Sequence, residues 1–276
     1  MKNLRILMKN RFTAVAIIVL GIVVLMGIFA PLLSSFNPND AIPESRLLPP
    51  GSIHYFGTDE LGRDIFTRII YAARVSIGIA FIAIILAAVF GTFIGSLSGY
   101  VGGKMDQLIM RITDVLLAFP TLVLALALSA ALGANMLNAA IAIAVVKLPI
   151  YMRLSRTQAL TISQSLYVKS AKTYGAKPNW IVKRHIVPNL LTPIIVQITL
   201  DIGDAILLIA TLGFLGLGAQ PPTAEWGAMI STGWNYLIDQ WWYPTFTGAA
   251  IFITVMAFNI IGDGVRDLLD PKSGSR

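Results

Sequence analysis

The fold is decided by a stretch that contains no charged residue. From residue 75 to residue 103 it reads VSIGIAFIAIILAAVFGTFIGSLSGYVGG. The hydrocarbon core of a membrane is about 30 Å thick, and a helix needs about 20 consecutive apolar residues to cross it. In lipid the backbone groups of such a stretch are satisfied only if it is helical. The sequence therefore predicts a membrane-spanning helix here.

Comparable apolar stretches recur along the chain. They cover residues 12–33, 115–146, 194–217 and 243–261, and the second is long enough for two helices broken at Gly133. The chain is 56% hydrophobic and 13% charged, whereas soluble domains are about 25% charged. The composition excludes a water-soluble protein. It predicts an all-α polytopic membrane protein with six transmembrane helices, one at 12–33 and five within 75–261.

The distribution of charge predicts the orientation in the membrane. The tail 1–11 has four Lys or Arg and no acid, the loop 152–191 has seven and no acid, and the segment 218–244 has two acids and no base. Basic loops stay in the cytoplasm. We therefore expect both tails (1–11 and 262–276) and the loop 152–191 to be cytoplasmic, and segments 34–74 and 218–244 to be external. The net charge of +7 then reflects topology and not a nucleic-acid partner.

The external segment 34–74 begins with turn-forming residues, which predict extended chain. Thr58 or Asp59 can cap a helix over residues 60–73. Its apolar residues share one face, so we expect a separate helix that lies at the membrane interface and leads into the second span.

A short part of the basic loop predicts a docking element. Residues 167–177 read YVKSAKTYGAK, and we expect a helix across the inner membrane face. Ala171 and Gly175 are small and one turn apart, so a partner can approach closely, and Tyr174 offers an aromatic plug. The full predicted docking set is Lys169, Ser170, Ala171, Lys172, Tyr174, Gly175, Ala176, His185 and Pro188.

Polar residues inside the spans predict a second site. A stripe on one face of the fifth span comprises Gln197, Asp201, Asp204 and Thr211, and Lys147 is the only base expected inside a span. A charge near the bilayer centre costs about 2.5–3.5 kcal/mol. Two interpretations stay open: the stripe lines a water-filled pathway, or it is structural, with Lys147 paired to Asp201 or Asp204 or with a bond to a partner subunit.

The sequence predicts no enzyme, no bound metal and no cofactor in this chain. His54 and His185 are expected on opposite sides of the membrane, so they cannot share a metal. The glycines at residues 99–103 precede Lys104 without the spacing of a phosphate-binding loop. Energy for transport must then come from a partner.

Three separated motifs and the basic loop resemble one family. The motifs are FGTDELGRD at 56–64, with Gly62, Arg63 and Asp64, then TLGFLGLGAQPP at 211–222 and AFNIIGDGVRDLLDP at 257–271. They resemble the C-type permease subunit of bacterial dipeptide, oligopeptide and nickel ABC importers, and LDIG at 200–203 is most like the dipeptide branch, which includes D,D-dipeptide permeases. Lys169-Ser170-Ala171 stand where that family's coupling loop has Glu-Ala-Ala.

The resemblance implies a type I ABC importer permease fold in the inner membrane. It implies a heterodimer with a homologous permease, two cytoplasmic ATP-binding subunits that bind ATP and Mg, an external solute-binding protein, and contact with membrane lipid. The solute would be a dipeptide or oligopeptide, with nickel or a metal chelate as the alternative. Less favoured rivals are a passive channel and an ion-coupled transporter that uses Asp201 and Asp204.

Overall fold

The computed structural model describes residues 10–269, and within that range the regular structure is helical apart from one isolated bridge between Thr58 and Asp64. The predicted tails 1–11 and 262–276 lie partly outside the described residues. The helices are α1 (Arg11–Ile28), α2 (Ala30–Leu33), α3 (Ile65–Val101), α4 (Gly103–Ala118), α5 (Thr121–Leu132), α6 (Met136–Ser163), α7 (Leu166–Thr173), α8 (Pro178–Ile181), α9 (Val187–Phe214), α10 (Trp226–Trp234) and α11 (Trp242–Leu269). A π-helical turn, Val182–Ile186, joins α8 to α9.

The helices account for the predicted membrane spans. Four of the long apolar helices are α1, α3, α6 and α11, and the fifth is the continuous stretch Pro178–Phe214. The pair α4 and α5 is bent by 97° and meets the length and apolarity of a sixth span only when the two helices are taken together. The predicted break near Gly133 is confirmed, because α5 ends at Leu132 and α6 begins at Met136.

The bend between α4 and α5 corrects the predicted third span. A continuous helix from residue 115 was expected, but α4 ends at Ala118 and α5 begins after Pro120. Proline has no amide hydrogen to donate and disfavours a helical residue before it. At 1.5 Å per residue α5 is about 18 Å long, which is shorter than the hydrocarbon core.

Close packing of α3 against α6 forms the centre of the bundle. Gly91, Gly95 and Gly99 follow one another at intervals of one turn on α3. A Cβ atom on Gly95 would lie 2.8 Å from the Cα of Met152, a distance that real side chains do not reach. Glycine at this position therefore lets the two backbones approach, as small residues do in membrane helix pairs.

The N-terminal end of α3 differs from the prediction. Asp64 caps α3, since its Oδ2 accepts a hydrogen bond of 2.7 Å from the amide of Thr67. From Ile65 the helix continues for 37 residues, or about 55 Å. The separate interfacial helix over 60–73 is therefore wrong, because Gly62 has a φ of +78° and interrupts any helix before Asp64.

Candidate functional site

The predicted docking helix is present as α7, and its ends are defined by local hydrogen bonds. Beyond the helix, Gly175 has a φ of +81°, which favours glycine. The amide of Gly175 donates to the carbonyl of Lys172 (3.0 Å), and the amide of Ala176 donates to that of Ala171 (3.1 Å). These two bonds form a Schellman motif, which satisfies carbonyls at the helix end.

Most of the predicted docking residues face outward. Val168 is buried and holds α7 against the bundle, and Ala171 and Ala176 are half-buried. Lys169, Ser170, Lys172 and Gly175 are exposed, and Tyr174 is 90% exposed. These exposed residues leave one face of α7 uncovered by the rest of the described chain.

Gly175 has a structural role within this chain that was not predicted. It lies past the end of α7, and a Cβ built on it would meet nothing within 4 Å. Its small size therefore serves the left-handed backbone conformation within this chain. A close approach of a partner at Gly175 stays a prediction.

His185 and its neighbours attach α7 to the start of α9. The ring of His185 packs against Tyr167 (centroids 5.7 Å apart) and against Trp180 (5.2 Å). The Nδ2 of Asn189 donates to the backbone carbonyl of His185 at 2.6 Å. Pro188 is exposed at the second residue of α9, directly after the π-helical turn. Sequence reasoning did not assign Trp180 or Asn189, although the i, i+4 spacing of His185 and Asn189 was a signal.

The basic loop is shorter than the predicted 152–191. Helix α6 extends to Ser163, so Arg153 and Arg156 belong to a helix. Arg153 pairs with Asp114 (2.6 Å) and Arg156 with Asp106 (2.6 Å), and both aspartates lie on α4. Five bases remain in the loop proper, namely Lys169, Lys172, Lys177, Lys183 and Arg184. Within residues 10–269, these five have no carboxylate within 4 Å.

The polar stripe forms an ion cluster between α6 and α9. Lys147 Nζ lies 2.8 Å from Asp201 Oδ1 and 3.2 Å from Asp204 Oδ2. Gln197 Nε2 donates to the other oxygen of Asp201 at 3.0 Å. The side chain of Asp201 is 4% exposed, whereas that of Asp204 is 60% exposed. Asp201 thus belongs to a buried pair, while Asp204 also faces open space.

One residue departs from the predicted stripe. Thr211 is not part of the cluster, since its hydroxyl donates to the carbonyl of Leu207 at 2.7 Å and the side chain lines a separate cavity of about 690 Å³. A second base on a long apolar helix is also buried, namely Arg68 in the first turn of α3, which is 4% exposed. The sequence reading had placed Arg68 in the external segment.

The residues of the first motif organise the outer segment. Arg63 Nε donates to Asp59 Oδ2 at 2.6 Å, and Arg63 Nη2 donates to Glu60 Oε1 at 3.0 Å. Asp64 caps α3 with one oxygen, and its other oxygen lies 2.9 Å from His54 Nδ1. Gly62, Arg63 and Asp64 therefore have a structural role at the start of α3.

Glu225 performs a similar role within the second motif region. Its two carboxylate oxygens accept hydrogen bonds of 2.9 Å from the amides of Gly227 and Ala228, which caps α10. The hydroxyl of Ser76 on α3 donates to the same carboxylate at 3.0 Å. Burial raises the pKa of Glu225 above its ordinary value, and these three hydrogen bonds oppose the shift. Glu225 thus joins the loop before α10 to α3.

Comparison with known proteins gives two family matches. Residues 91–274 match the model described as "Binding-protein-dependent transport system inner membrane component". Residues 3–50 match the N-terminal transmembrane domain of oligopeptide transport permease C.

Curated relatives align with nearly the whole chain. The "Probable D,D-dipeptide transport system permease protein" of Escherichia coli (strain K12) is 50% identical over 96% of this chain and 89% of its own. A dipeptide transport system permease protein of Alkalihalophilus pseudofirmus is 47% identical (98% and 88%). One from Haemophilus influenzae is 42% identical (96% and 92%).

Proposed function

The chain belongs to the family of binding-protein-dependent transport system inner membrane components, and we propose that it forms half of the pathway of an ATP-driven importer of dipeptides. The family makes the chain a multi-pass permease subunit of an ABC importer. The names of its relatives support dipeptides as the solute. The observation that carries the proposed coupling to ATP hydrolysis is the exposed helix α7.

The proposed assembly contains a homologous permease, two cytoplasmic ATP-binding subunits that bind ATP and Mg, and an external solute-binding protein. Helix α7 suits the contact with an ATP-binding subunit. Its exposed residues Lys169 and Lys172 have no carboxylate within 4 Å among residues 10–269, so they are available to acidic groups of a partner. The proposed orientation has α7 and both chain ends in the cytoplasm. The absence of Lys and Arg from segment 218–244 supports an external position for that segment.

The chain connectivity suggests how ATP binding acts on the pathway. Helix α7 follows α6 directly, and α9 follows the π-helical turn that His185 attaches to α7. The same two long helices are joined in the bundle by Lys147 and Asp201. A displacement of α7 by the ATP-binding subunits therefore acts on both helices at the ion cluster.

Replacing Tyr174 with Asp tests the coupling contact. Tyr174 is 90% exposed, so its loss removes little packing within this chain, whereas a buried unpaired carboxylate in an interface is costly. We expect the ATP-binding subunits to co-purify less, and uptake and substrate-stimulated ATP hydrolysis to fall together. The matched control is Ile238→Asp, an equally exposed position at 94% in segment 218–244, which should leave co-purification unchanged. Normal co-purification and uptake in Tyr174→Asp would remove the support for coupling through α7.

Uptake of a radiolabelled dipeptide tests the solute. Cells that lack their own peptide importers should gain uptake only when this chain is produced with its partner subunits, and removal of ATP should abolish it. Uptake without ATP would favour a passive channel. Accumulation of radioactive nickel and not of dipeptide would contradict the proposed solute.

A further inference from the structure

A narrow apolar groove runs along the surface of the bundle between α3 and α9. Its cavity is about 350 Å³, and exposed aliphatic side chains line it, among them Val89, Leu191 and Ile195. In water such a groove would be costly, but these helices cross a membrane. The groove is therefore open to hydrocarbon or to another helix.

The length of the groove corresponds to one leaflet. Along α9 it extends from Val187 to Ile198, which is about 16 Å at 1.5 Å per residue. Half of a hydrocarbon core of about 30 Å is about 15 Å. The groove thus begins at the end of α9 that adjoins the basic loop and reaches into the first residues of the predicted span 194–217.

One cation stands at the loop end of the groove. Lys183 lies in the π-helical turn, lines the groove and is exposed. Its ammonium lies 5.8 Å from the centre of the Phe93 ring, another lining residue, and has no carboxylate within 4 Å among residues 10–269. Arg184 is exposed beside it but does not line the groove. The groove therefore combines an apolar channel with an unpaired positive charge at its mouth.

We propose that this groove binds one anionic phospholipid, with an acyl chain along α9 and the phosphate at Lys183. Basic pockets between membrane helices on the cytoplasmic side recognise anionic headgroups. The proposal rests on the cytoplasmic orientation proposed above, which gives Lys183 access to the inner leaflet. The resemblance implied contact with membrane lipid without a defined site, whereas the proposal names one site and one class of lipid.

The unpaired cation at its loop end favours an anionic lipid over an apolar helix of the homologous permease as the occupant of the groove. A hydrocarbon chain is also thin and flexible enough to follow the groove.

Native mass spectrometry of the purified transporter tests the site. The assembled complex, stripped of lipid in mild detergent, is titrated with phosphatidylglycerol and with phosphatidylcholine of the same chain composition. We expect one tightly bound phosphatidylglycerol per copy of this chain. Lys183→Gln should weaken that binding about fivefold, the effect of one lysine near an anionic surface. The matched variant Arg184→Gln removes the same charge one residue away and should leave the binding unchanged.

A second pair of variants tests the apolar part of the groove. Ile195→Trp fills it with a bulky side chain and should prevent lipid binding while the complex stays assembled. If that variant fails to assemble, Val89→Trp, at a position that is 59% exposed, is used in the same assay.

Three outcomes would overturn the proposal. The first is equal binding of phosphatidylglycerol and phosphatidylcholine. The second is an equal loss of lipid binding in Lys183→Gln and Arg184→Gln. The third is dissociation of the homologous permease from this chain in both tryptophan variants, which would show that a helix covers the groove. The readout is the mass of bound lipid and not uptake, so this proposal can fail while the importer proposal stands, and the reverse.

Discussion

Replacing Lys147 with Met removes the cation from the ion cluster between α6 and α9. Asp201 would keep the hydrogen bond from Gln197 at 3.0 Å but no cation, and its carboxylate would stay 4% exposed. Breaking a buried ion pair by removing one partner costs about 3–5 kcal/mol. At about 2–4 °C per kcal/mol for a chain of this size, the melting midpoint should fall by about 6 °C or more.

The two aspartates should rescue this variant unequally. Asp201→Asn in the Lys147→Met background removes the buried charge and should restore most of the lost stability. Asp204 is 60% exposed, and a partly solvated ion pair contributes only about 0–1 kcal/mol. Asp204→Asn should therefore have little effect alone and should rescue poorly.

The assay is thermal unfolding of the purified transporter. Unfolding is measured as the decrease in the fraction that still elutes as an assembled complex after heating. The two single variants and the two double variants are compared at one pH and in one detergent. If Lys147→Met is as stable as Asp204→Asn, or if Asp201→Asn rescues no better than Asp204→Asn, the reasoning from burial is refuted. Uptake by the rescued double variant then shows whether the charges also serve the pathway.

Three further predictions follow from the loops. Gly175→Asn should retain uptake because asparagine tolerates a positive φ, whereas Gly175→Val should lose uptake. Equal loss of uptake in both variants would mean that a partner needs the glycine itself. Co-purification with the ATP-binding subunits reports whether the contact is kept. Burial raises the pKa of Glu225, so ionisation of its carboxyl group costs stability. The melting midpoint should therefore fall as the pH rises above 4.5, the ordinary value. If Glu225→Gln shows the same fall with pH, Glu225 is not the group responsible. In this cysteine-free chain, an impermeant thiol reagent applied to intact cells should label Asn235→Cys and not Gln164→Cys; the opposite pattern would invert the orientation.

The long-range features that the sequence predicted are those with a strong periodic or compositional signal. Charge-free stretches of about 20 residues have few alternatives to a membrane helix, so the positions of the spans could be inferred. The proximity of Lys147 to Asp201 was one of two open interpretations. In the structure the Lys147 ammonium contacts the Asp201 carboxylate, because burying either charge alone would be costly.

Local details were harder to predict because competing signals had similar strength. Thr58, Asp59 and Asp64 are all capable helix caps, and only the tertiary contacts of the outer segment select Asp64. Pro120 could have produced a mild kink, since neighbouring helices often tolerate proline in membranes. In the structure α4 is joined to α6 by the ion pairs of Arg153 and Arg156, which the sequence had assigned to the loop.

The uninterrupted length of α3 has a mechanical consequence. The helix is held at its outer end by the cap at Asp64 and along its inner half by the glycine contacts with α6. A rod of about 55 Å behaves as a lever: a tilt of about 10° moves one end by about 10 Å relative to the other. Because α3 has no helix break between Ile65 and Val101, a movement at one end of the helix is transmitted to the other end.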